Sequence, residues 1–291
     1  MRIFLLFILM ICPSSHIWSQ QLHVGSYNIR YQNDEDTKKG NGWERRCAVV
    51  CDQLNYEHPD IFGAQEVLSG QLKDMLKHLD GYAYLGCGRD DGKDSGEYAA
   101  IFYDLKRLHL LADGHFWLSP TPEKPSKGWD AACIRICTWG KFEDIRTGFT
   151  FHFFNLHLDH EGKEARRRSV ELVLSRIESL TGGNGAVILC GDFNSTQSDA
   201  SYQAVSHCGR LLDCYEHSRL RFAENSTFND YKQDRKISGR IDHIFVSPDF
   251  QIERYGILTN TYWTAGKKKN RFDRRLPSDH YPVFVYLNYA N

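Results

Sequence analysis

Short polar segments recur along the chain, each at the end of an apolar, strand-like stretch. Their side chains are carboxylates, carboxamides and imidazoles, which bind hard cations or transfer protons near neutral pH. At strand ends a rigid scaffold can hold such groups in fixed positions. The segments are Tyr27-Asn28-Ile29-Arg30, Gln65-Glu66-Val67, Gly96-Glu97-Tyr98, Asn155-Leu156-His157-Leu158-Asp159, Gly191-Asp192-Phe193-Asn194, and Arg240-Ile241-Asp242-His243 together with Ser278-Asp279-His280-Tyr281-Pro282.

This combination of groups suits the hydrolysis of phosphate esters. A phosphodiester is an anion that repels nucleophiles, so hydrolysis needs charge neutralisation, an activated water and stabilisation of the developing charge. Mg²⁺ prefers oxygen ligands and retains several waters, so one or two carboxylates can hold it, and Glu66 is the first candidate ligand. His280 is the candidate general base or phosphate-polarising group, because imidazole titrates near neutrality without special tuning.

In this order the segments resemble the endonuclease/exonuclease/phosphatase superfamily, which includes deoxyribonucleases, abasic-site endonucleases, deadenylases, neutral sphingomyelinases and inositol polyphosphate 5-phosphatases. Each motif alone is short, but the ordered set extends over residues 22–288. The resemblance implies an α/β fold, a four-layer sandwich in which two packed mixed β-sheets are flanked by helices. It also implies Mg²⁺ as the cofactor, with Mn²⁺ as a substitute.

The resemblance assigns roles to the residues around the cation and the imidazole. Asn28 and Asp279 would complete the metal site around Glu66. Asp242 would fix the tautomer and orientation of His280. These residues are far apart in the sequence, so the assignment requires them to meet in the fold.

The resemblance also implies contacts to the substrate. Asp192 would either activate the attacking water or protonate the leaving group, and Asn194 would contact a phosphate oxygen. Asn155 and Arg30 are expected to bind substrate as well.

His157 and Glu97 match a second His–carboxylate pair that is present in the deoxyribonuclease-like and phosphatase branches and absent from abasic-site endonucleases. Arg30 is basic where abasic-site endonucleases carry an acidic residue. Both features, together with the predicted export, argue against a dedicated role in DNA repair.

Alternating strands and helices are predicted to position these residues. The clearest helix covers 163–180, where apolar residues recur at helical spacing and Gly182 and Gly183 follow. Two further helices are predicted at 42–56 and 69–78, with Ser69 as the N-cap of the second. Strands rich in aromatic and β-branched residues are predicted at 22–28, 60–66, 99–103, 108–117, 133–142, 149–158, 186–190, 241–246 and 282–287.

The first twenty residues have the pattern of a secretory signal peptide, with Arg2 before an apolar run and a more polar exit. The mature chain is therefore expected to be exported, without a stable membrane anchor; a lipoprotein modified at Cys12 is the alternative. Residues 21–291 are expected to form one catalytic domain, as a monomer. The eight remaining cysteines permit disulfides, but a domain of this size does not require them.

Overall charge disfavours a protein that binds polyanions through bulk electrostatics, because 36 basic residues nearly balance 37 acidic ones. A local basic run at 267–275, with Tyr262, Trp263 and Phe272 nearby, could still contact nucleic acid, a phosphorylated sugar or a lipid headgroup. Arg46 and the run 166–168 could belong to the site or to solvated helix faces.

Three functional hypotheses follow from the sequence. The first is a Mg²⁺-dependent phosphodiesterase, nuclease-like, in which His280 and Asp192 assist attack by water. The second is a phosphoesterase acting on a lipid or small-molecule phosphate. The third, a non-catalytic binding protein, is disfavoured because the polar set is intact.

Overall fold

A computed structural model describes residues 20–222, 225–234, 239–266 and 271–290. The predicted leader lies outside these residues except for Gln20, and so does the stretch 267–270 of the basic run. The strands are β1 Gln20–Asn28, β2 Ile61–Val67, β3 Tyr82–Leu85, β4 Tyr98–Asp104, β5 Leu108–Trp117, β6 Ile136–Asp144, β7 Thr150–His157, β8 Ala186–Asp192, β9 Leu212–Asp213, β10 Leu220–Phe222, β11 Asp242–Val246, β12 Phe250–Ile257, β13 Tyr262–Ala265, β14 Phe272–Arg275 and β15 Val283–Tyr289. The helices are α1 Asp34–Lys39, α2 Trp43–Glu57, α3 Ser69–His78, α4 Lys163–Thr181, α5 Ala200–Ser206 and α6 Cys214–His217.

Two large mixed sheets form the centre of the molecule. One has the strand order β10-β12-β15-β1-β2-β4-β3, and the other β5-β6-β7-β8-β11-β9. Most neighbours are antiparallel, but three pairs are parallel: β1 with β2, β7 with β8, and β10 with β12. Strands β13 and β14 form a separate two-stranded hairpin.

Apolar side chains divide the molecule into four layers. Between the sheets, residues such as Val24 and Ile101 pack against Phe153 and Ile188. Helices α2 and α3 cover the outer face of the first sheet, and α4 and α5 cover that of the second. The predicted four-layer sandwich is confirmed.

Helix α4 follows directly from its sequence pattern. Val170, Val173 and Ile177 recur at helical spacing, and all three are buried against strands of the second sheet. The helix ends at Gly182, whose φ of 60° is in the left-handed region that glycine adopts without strain. No helix in the described ranges is long and apolar enough to cross a bilayer.

Two local expectations are answered by the structure. The N-cap of α3 is Leu68, so the prediction of Ser69 is wrong; Ser69 is already the first helical residue.

All eight cysteines of the described chain are free thiols, six of them buried, so the sandwich forms without a disulfide. This agrees with a core large enough to be stable by itself.

Strand pairing brings the polar segments to one edge of the sandwich. Because β1 and β2 are parallel and Asn28 pairs with Gln65, both strands end side by side. The parallel pair β7–β8 does the same for His157 and Asp192, and β11 begins opposite Asp192 with Asp242. The sheets therefore converge at the edge where these polar residues lie.

Candidate active site

A pocket of about 950 Å³ opens at this edge, between the ends of the two sheets. One wall comes from the chain following β1 and from residues 228–232, and the other from residues around Arg89, Cys133 and His160. The predicted site residues that line it are Arg30, Glu66, Glu97, His157, Asp192, Asn194, Asp279 and His280. Asn28 and Asp242 lie directly beneath it and hydrogen-bond to its lining residues.

His280 is held by a carboxylate at the floor of the pocket. Its Nδ1 lies 2.8 Å from Oδ2 of Asp242, and its Nε2 lies 3.7 Å from Oδ2 of Asp192. Burial opposes protonation of this imidazole, but Asp242 and Asp192 outweigh that effect and raise the pKa of His280 to about 10. The ring is therefore an imidazolium at neutral pH, suited to polarising a phosphate oxygen.

Asp192 is a buried carboxylate beside that imidazolium. Burial first, and then the charge of Asp242, raise the pKa of Asp192 to about 7. A carboxylate with such a pKa can accept a proton from water near neutrality. Its backbone turn is fixed because Asn194 N donates to Asp192 Oδ1 at 2.8 Å.

Asn28 connects the two halves of the site. Its Nδ2 donates to Glu66 Oε1 at 3.1 Å and to Asp192 Oδ2 at 3.0 Å, and lies 3.5 Å from His280 Nε2. Its Oδ1 accepts from the backbone N–H of Arg30 at 3.0 Å. The amide thus positions both carboxylates, and its oxygen keeps one lone pair free, so the prediction that Asn28 is a metal ligand stays a prediction.

Glu66 and Asp279 are the carboxylates best placed to hold a divalent cation. Arg30 Nη1 lies 3.5 Å from Asp279 Oδ2 and 4.0 Å from Glu66 Oε2, so both carboxylates lie beside one guanidinium nitrogen. An oxygen-only donor set with open access to water fits Mg²⁺ or Mn²⁺. Burial raises the pKa of Asp279 to about 6, and Glu66 adds to that shift; a divalent cation would offset the crowding of negative charge.

A second group of potential ligands is Asp192, Asp242 and His280, whose ligand atoms lie within 4.8 Å of one another. In this group Nδ1 of His280 and Oδ2 of Asp242 are already joined by a hydrogen bond. Both groups could hold a cation, but in the second group one imidazole nitrogen and one carboxylate oxygen are not free to bind it.

The predicted second His–carboxylate pair is present but loosely joined. His157 Nδ1 lies 3.9 Å from Glu97 Oε2, and Glu97 is held mainly by Arg89, in a two-fold contact at 2.7 and 2.9 Å. Burial, and then Arg135, keep the pKa of His157 well below its usual range. His157 is thus a neutral hydrogen-bonding group, 3.1 Å from Asn194 Nδ2.

Asn155 does not reach the pocket. Its Nδ2 donates to the carbonyls of Ala64 and Ala100, and its Oδ1 accepts from Gln65. The side chain is fully buried and crosses from the second sheet to the first. The expectation that Asn155 binds substrate is therefore wrong in this geometry, and its role is to join the two sheets.

Backbone strain is concentrated at the site. Arg30, Glu66 and Asn194 have φ values of 60°, 61° and 46°, in the left-handed region that non-glycine residues rarely adopt. Such conformations persist when surrounding contacts over-determine them, and they cluster at functional sites. Here they turn side chains out of three strand ends toward one pocket.

The structure decides between the two alternatives that the sequence left open for Arg46. Arg46, which could have been a solvated residue, is fully buried and donates to the carbonyls of Asn41, Ile29, Pro277 and Arg30. It holds together two of the segments that carry the site.

The far wall of the pocket contains two arginines that were not predicted from the sequence. Arg89 and Arg135 line it, and neither lies in a motif that separates it from surface arginines in the sequence. Of the run 166–168, only Arg166 is buried, donating to the Asp159 carbonyl; Arg167 and Arg168 pair with Glu164 on the helix surface.

Comparison with known proteins agrees with this geometry. The profile of the endonuclease/exonuclease/phosphatase family matches residues 25–280. The chain belongs to this family. The match begins within β1 and ends at His280, so the family pattern spans the whole set of converging segments.

Solved structures within the family resemble the chain closely. A family protein from Bacteroides thetaiotaomicron is 48% identical, with a TM-score of 0.91, over 93% of this chain and 98% of that one. A mannosyl-6-phosphatase from the same organism is 49% identical, with a TM-score of 0.89, over 92% of this chain and all of that one. An uncharacterised protein of Acanthamoeba polyphaga mimivirus is 28% identical, over 84% of this chain and 91% of the relative.

Proposed function

We propose that this protein is an exported, divalent-metal-dependent phosphatase that removes phosphate from a sugar-like monoester. The observation that carries the proposal is the pocket, which is walled on both sides and holds arginines on opposite walls, Arg30 and Arg89. A volume of about 950 Å³ fits a small phosphorylated molecule. The 49%-identical mannosyl-6-phosphatase supports the same class of substrate.

Different residues of the pocket can perform the separate steps of phosphate ester hydrolysis. Asp192 would take a proton from the attacking water, because its raised pKa makes it a competent base near neutrality. The bond between phosphorus and the ester oxygen would break, and the sugar would leave as a hydroxyl with a proton taken up from bulk water. The imidazolium of His280, oriented by Asp242, would donate to a phosphate oxygen as charge develops there. Asn194 and His157 lie beside Asp192 and would hold the phosphate in line.

A divalent cation held by Glu66 and Asp279 would supply charge neutralisation on the phosphate. The two carboxylates are only slightly exposed, with side-chain exposures of 12% and 7%, so their charge is poorly screened by water. Asn28 Nδ2 and the backbone N–H of Tyr31 orient the two Glu66 oxygens. Ser278 Oγ donates to Asp279 Oδ1 at 3.3 Å.

The nuclease-like activity favoured by the sequence is the second candidate. It is supported by the hairpin β13–β14, where Trp263 and Phe272 are 67% and 68% exposed. Arg274 is exposed on the same hairpin and bonds to Gln233, next to the pocket residue Lys232. Exposed aromatic and basic residues beside a phosphate site can stack and pair with a nucleic acid strand.

Turnover of a defined substrate panel separates the two functions. The purified protein would be assayed with Mg²⁺, Mn²⁺ or EDTA on mannose 6-phosphate, a chromogenic phosphodiester, sphingomyelin, single-stranded DNA and RNA. Asp192→Asn serves as the inactive variant and Asp80→Asn, at an exposed turn, as its matched control. We expect metal-dependent phosphate release from the sugar monoester that Asp192→Asn abolishes. Cleavage of DNA or RNA without release from mannose 6-phosphate would assign the nuclease function instead.

A further inference from the structure

The two carboxylates assigned to the cation share a guanidinium. Arg30 Nη1 lies 3.5 Å from Asp279 Oδ2 and 4.0 Å from Glu66 Oε2. The Arg30 side chain is 27% exposed and lines the pocket. It therefore reaches both the carboxylates and the space in which a phosphate would lie.

Arg30 is fixed at every point except its tip. Its Nε donates to Asp36 Oδ2 at 2.8 Å. Its backbone N–H donates to Asn28, and its carbonyl accepts from Arg46 and Gln71. Because the guanidinium is planar and rigid, its Nη end can change partners only if the whole group pivots about the hydrogen bond from Nε to Asp36.

The anchor for Arg30 is itself rigid. Asp36 is buried in α1, and its Oδ2 accepts from Asn33 Nδ2 at 2.7 Å. Asn33 also caps the helix, because its Oδ1 accepts from the backbone N–H of Asp36 at 2.8 Å. The short helix α1 therefore holds the carboxylate of Asp36 against Arg30.

We propose that Arg30 is an internal counter-ion that neutralises Glu66 and Asp279 until a divalent cation binds them, and then turns its free end to the substrate's phosphate. This inference rests on the metal site of the proposed function. A divalent cation held by these carboxylates would repel a guanidinium that lies only 3.5–4.0 Å from their oxygens. Because Asp36 retains Nε, the displaced end stays over the pocket.

Two consequences distinguish a counter-ion from an ordinary phosphate ligand. The guanidinium competes with the cation, so removing it should tighten metal binding. The guanidinium becomes available to an anion only after a bound cation has displaced it from the carboxylates. Metal and phosphate should therefore bind cooperatively, and the coupling free energy must be the same whichever binds first.

Calorimetric titration of the full protein tests both consequences. MgCl₂ is titrated into wild type, Arg30→Gln and Glu66→Gln, and inorganic phosphate is titrated into each protein with and without Mg²⁺. Arg45→Gln is the matched control, because Arg45 is exposed on α2 and the substitution makes the same change in net charge. Asp36→Asn is a second variant that keeps the guanidinium but removes its anchor.

We expect Arg30→Gln to tighten Mg²⁺ binding by roughly fivefold and to weaken the coupling to phosphate, leaving only the direct attraction between cation and anion. Asp36→Asn should weaken phosphate binding to the metal-loaded protein, whereas Arg45→Gln should match wild type. Unchanged or weaker Mg²⁺ binding in Arg30→Gln, with binding lost in Glu66→Gln, would overturn the counter-ion role alone. Equal Mg²⁺ binding by wild type and Glu66→Gln would overturn both this role and the proposed metal site.

Discussion

Nδ1 of His280 lies 2.8 Å from Oδ2 of Asp242, although 38 residues separate them in the chain. The contact exists because β11 starts with Asp242 opposite the end of β8, and because the backbone of His280 pairs with Phe228 just before β15 begins. It makes the imidazole an oriented cation in a buried site. Asp242 is therefore a positioning residue for His280.

Asp242→Asn should lower kcat for the sugar monoester by at least about 100-fold with little change in KM. The amide keeps the shape of the carboxylate but removes the charge that holds the imidazolium. Steady-state kinetics with a melting curve for each protein measure this. A variant that retains a third or more of wild-type kcat would show that Asp242 does not orient the catalytic group.

Arg46→Lys should destabilise the fold by about 3 kcal/mol. The ammonium cannot reach all four carbonyls that the buried guanidinium satisfies, at Asn41, Ile29, Pro277 and Arg30. Urea unfolding measures the change, with Arg45→Lys on the exposed face of α2 as the control. Equal midpoints for Arg46→Lys and wild type would contradict the assigned structural role.

Asn155→Ala should cost about 2 kcal/mol of stability and leave KM unchanged well below the melting temperature. The reason is that Asn155 bonds Gln65 and the carbonyls of Ala64 and Ala100 between the sheets, away from the pocket. Unfolding and kinetic measurements on one preparation separate the effects. A raised KM with normal stability would restore Asn155 as a substrate ligand.

His23 should make the fold less stable in mild acid. Burial lowers the pKa of His23 to about 4 from 6.5, so the folded state disfavours a proton that the unfolded chain accepts. Stability is then lost as the pH falls from about 6.5 toward 4. Between pH 7 and 4.5, wild type should lose about 2 kcal/mol more than His23→Phe, which keeps a ring stacked on Tyr286. Parallel pH profiles for the two proteins would refute this.

Elements with apolar periodicity were predictable from the sequence. The stripe of Val170, Val173 and Ile177 gives α4 within one residue, and β5 is predicted at its observed bounds. Helix α1 was not predicted because its six polar residues have no apolar face; its cap at Asn33 and the Arg30–Asp36 contact stabilise it. Tertiary contacts of that kind leave no local pattern.

The residues of the candidate site also divide into those that the sequence predicts and those that it does not. Glu66, Asp192 and His280 stand in motifs at strand ends, and the structure brings all three to one pocket. Arg89 and Arg135 stand in no motif, because their roles come from what surrounds them after folding, and Arg46 could be assigned a structural role only from its buried contacts. Asn155 is the converse case: it lies in a motif, but the pleat of β7 turns its side chain inward.

Glu66 and His280 should act on one phosphorus centre, because Asn28 Nδ2 lies within hydrogen-bonding reach of both. A double-mutant cycle on kcat/KM for phosphate release from mannose 6-phosphate with Mg²⁺ tests it, using Glu66→Gln, His280→Gln and the double variant, with exposed His109→Gln as control. We predict that each single variant loses at least about 100-fold and that the double variant is little worse than the poorer single one. Wild-type turnover by His280→Gln, or losses in the two single variants that simply multiply in the double, would contradict the claim.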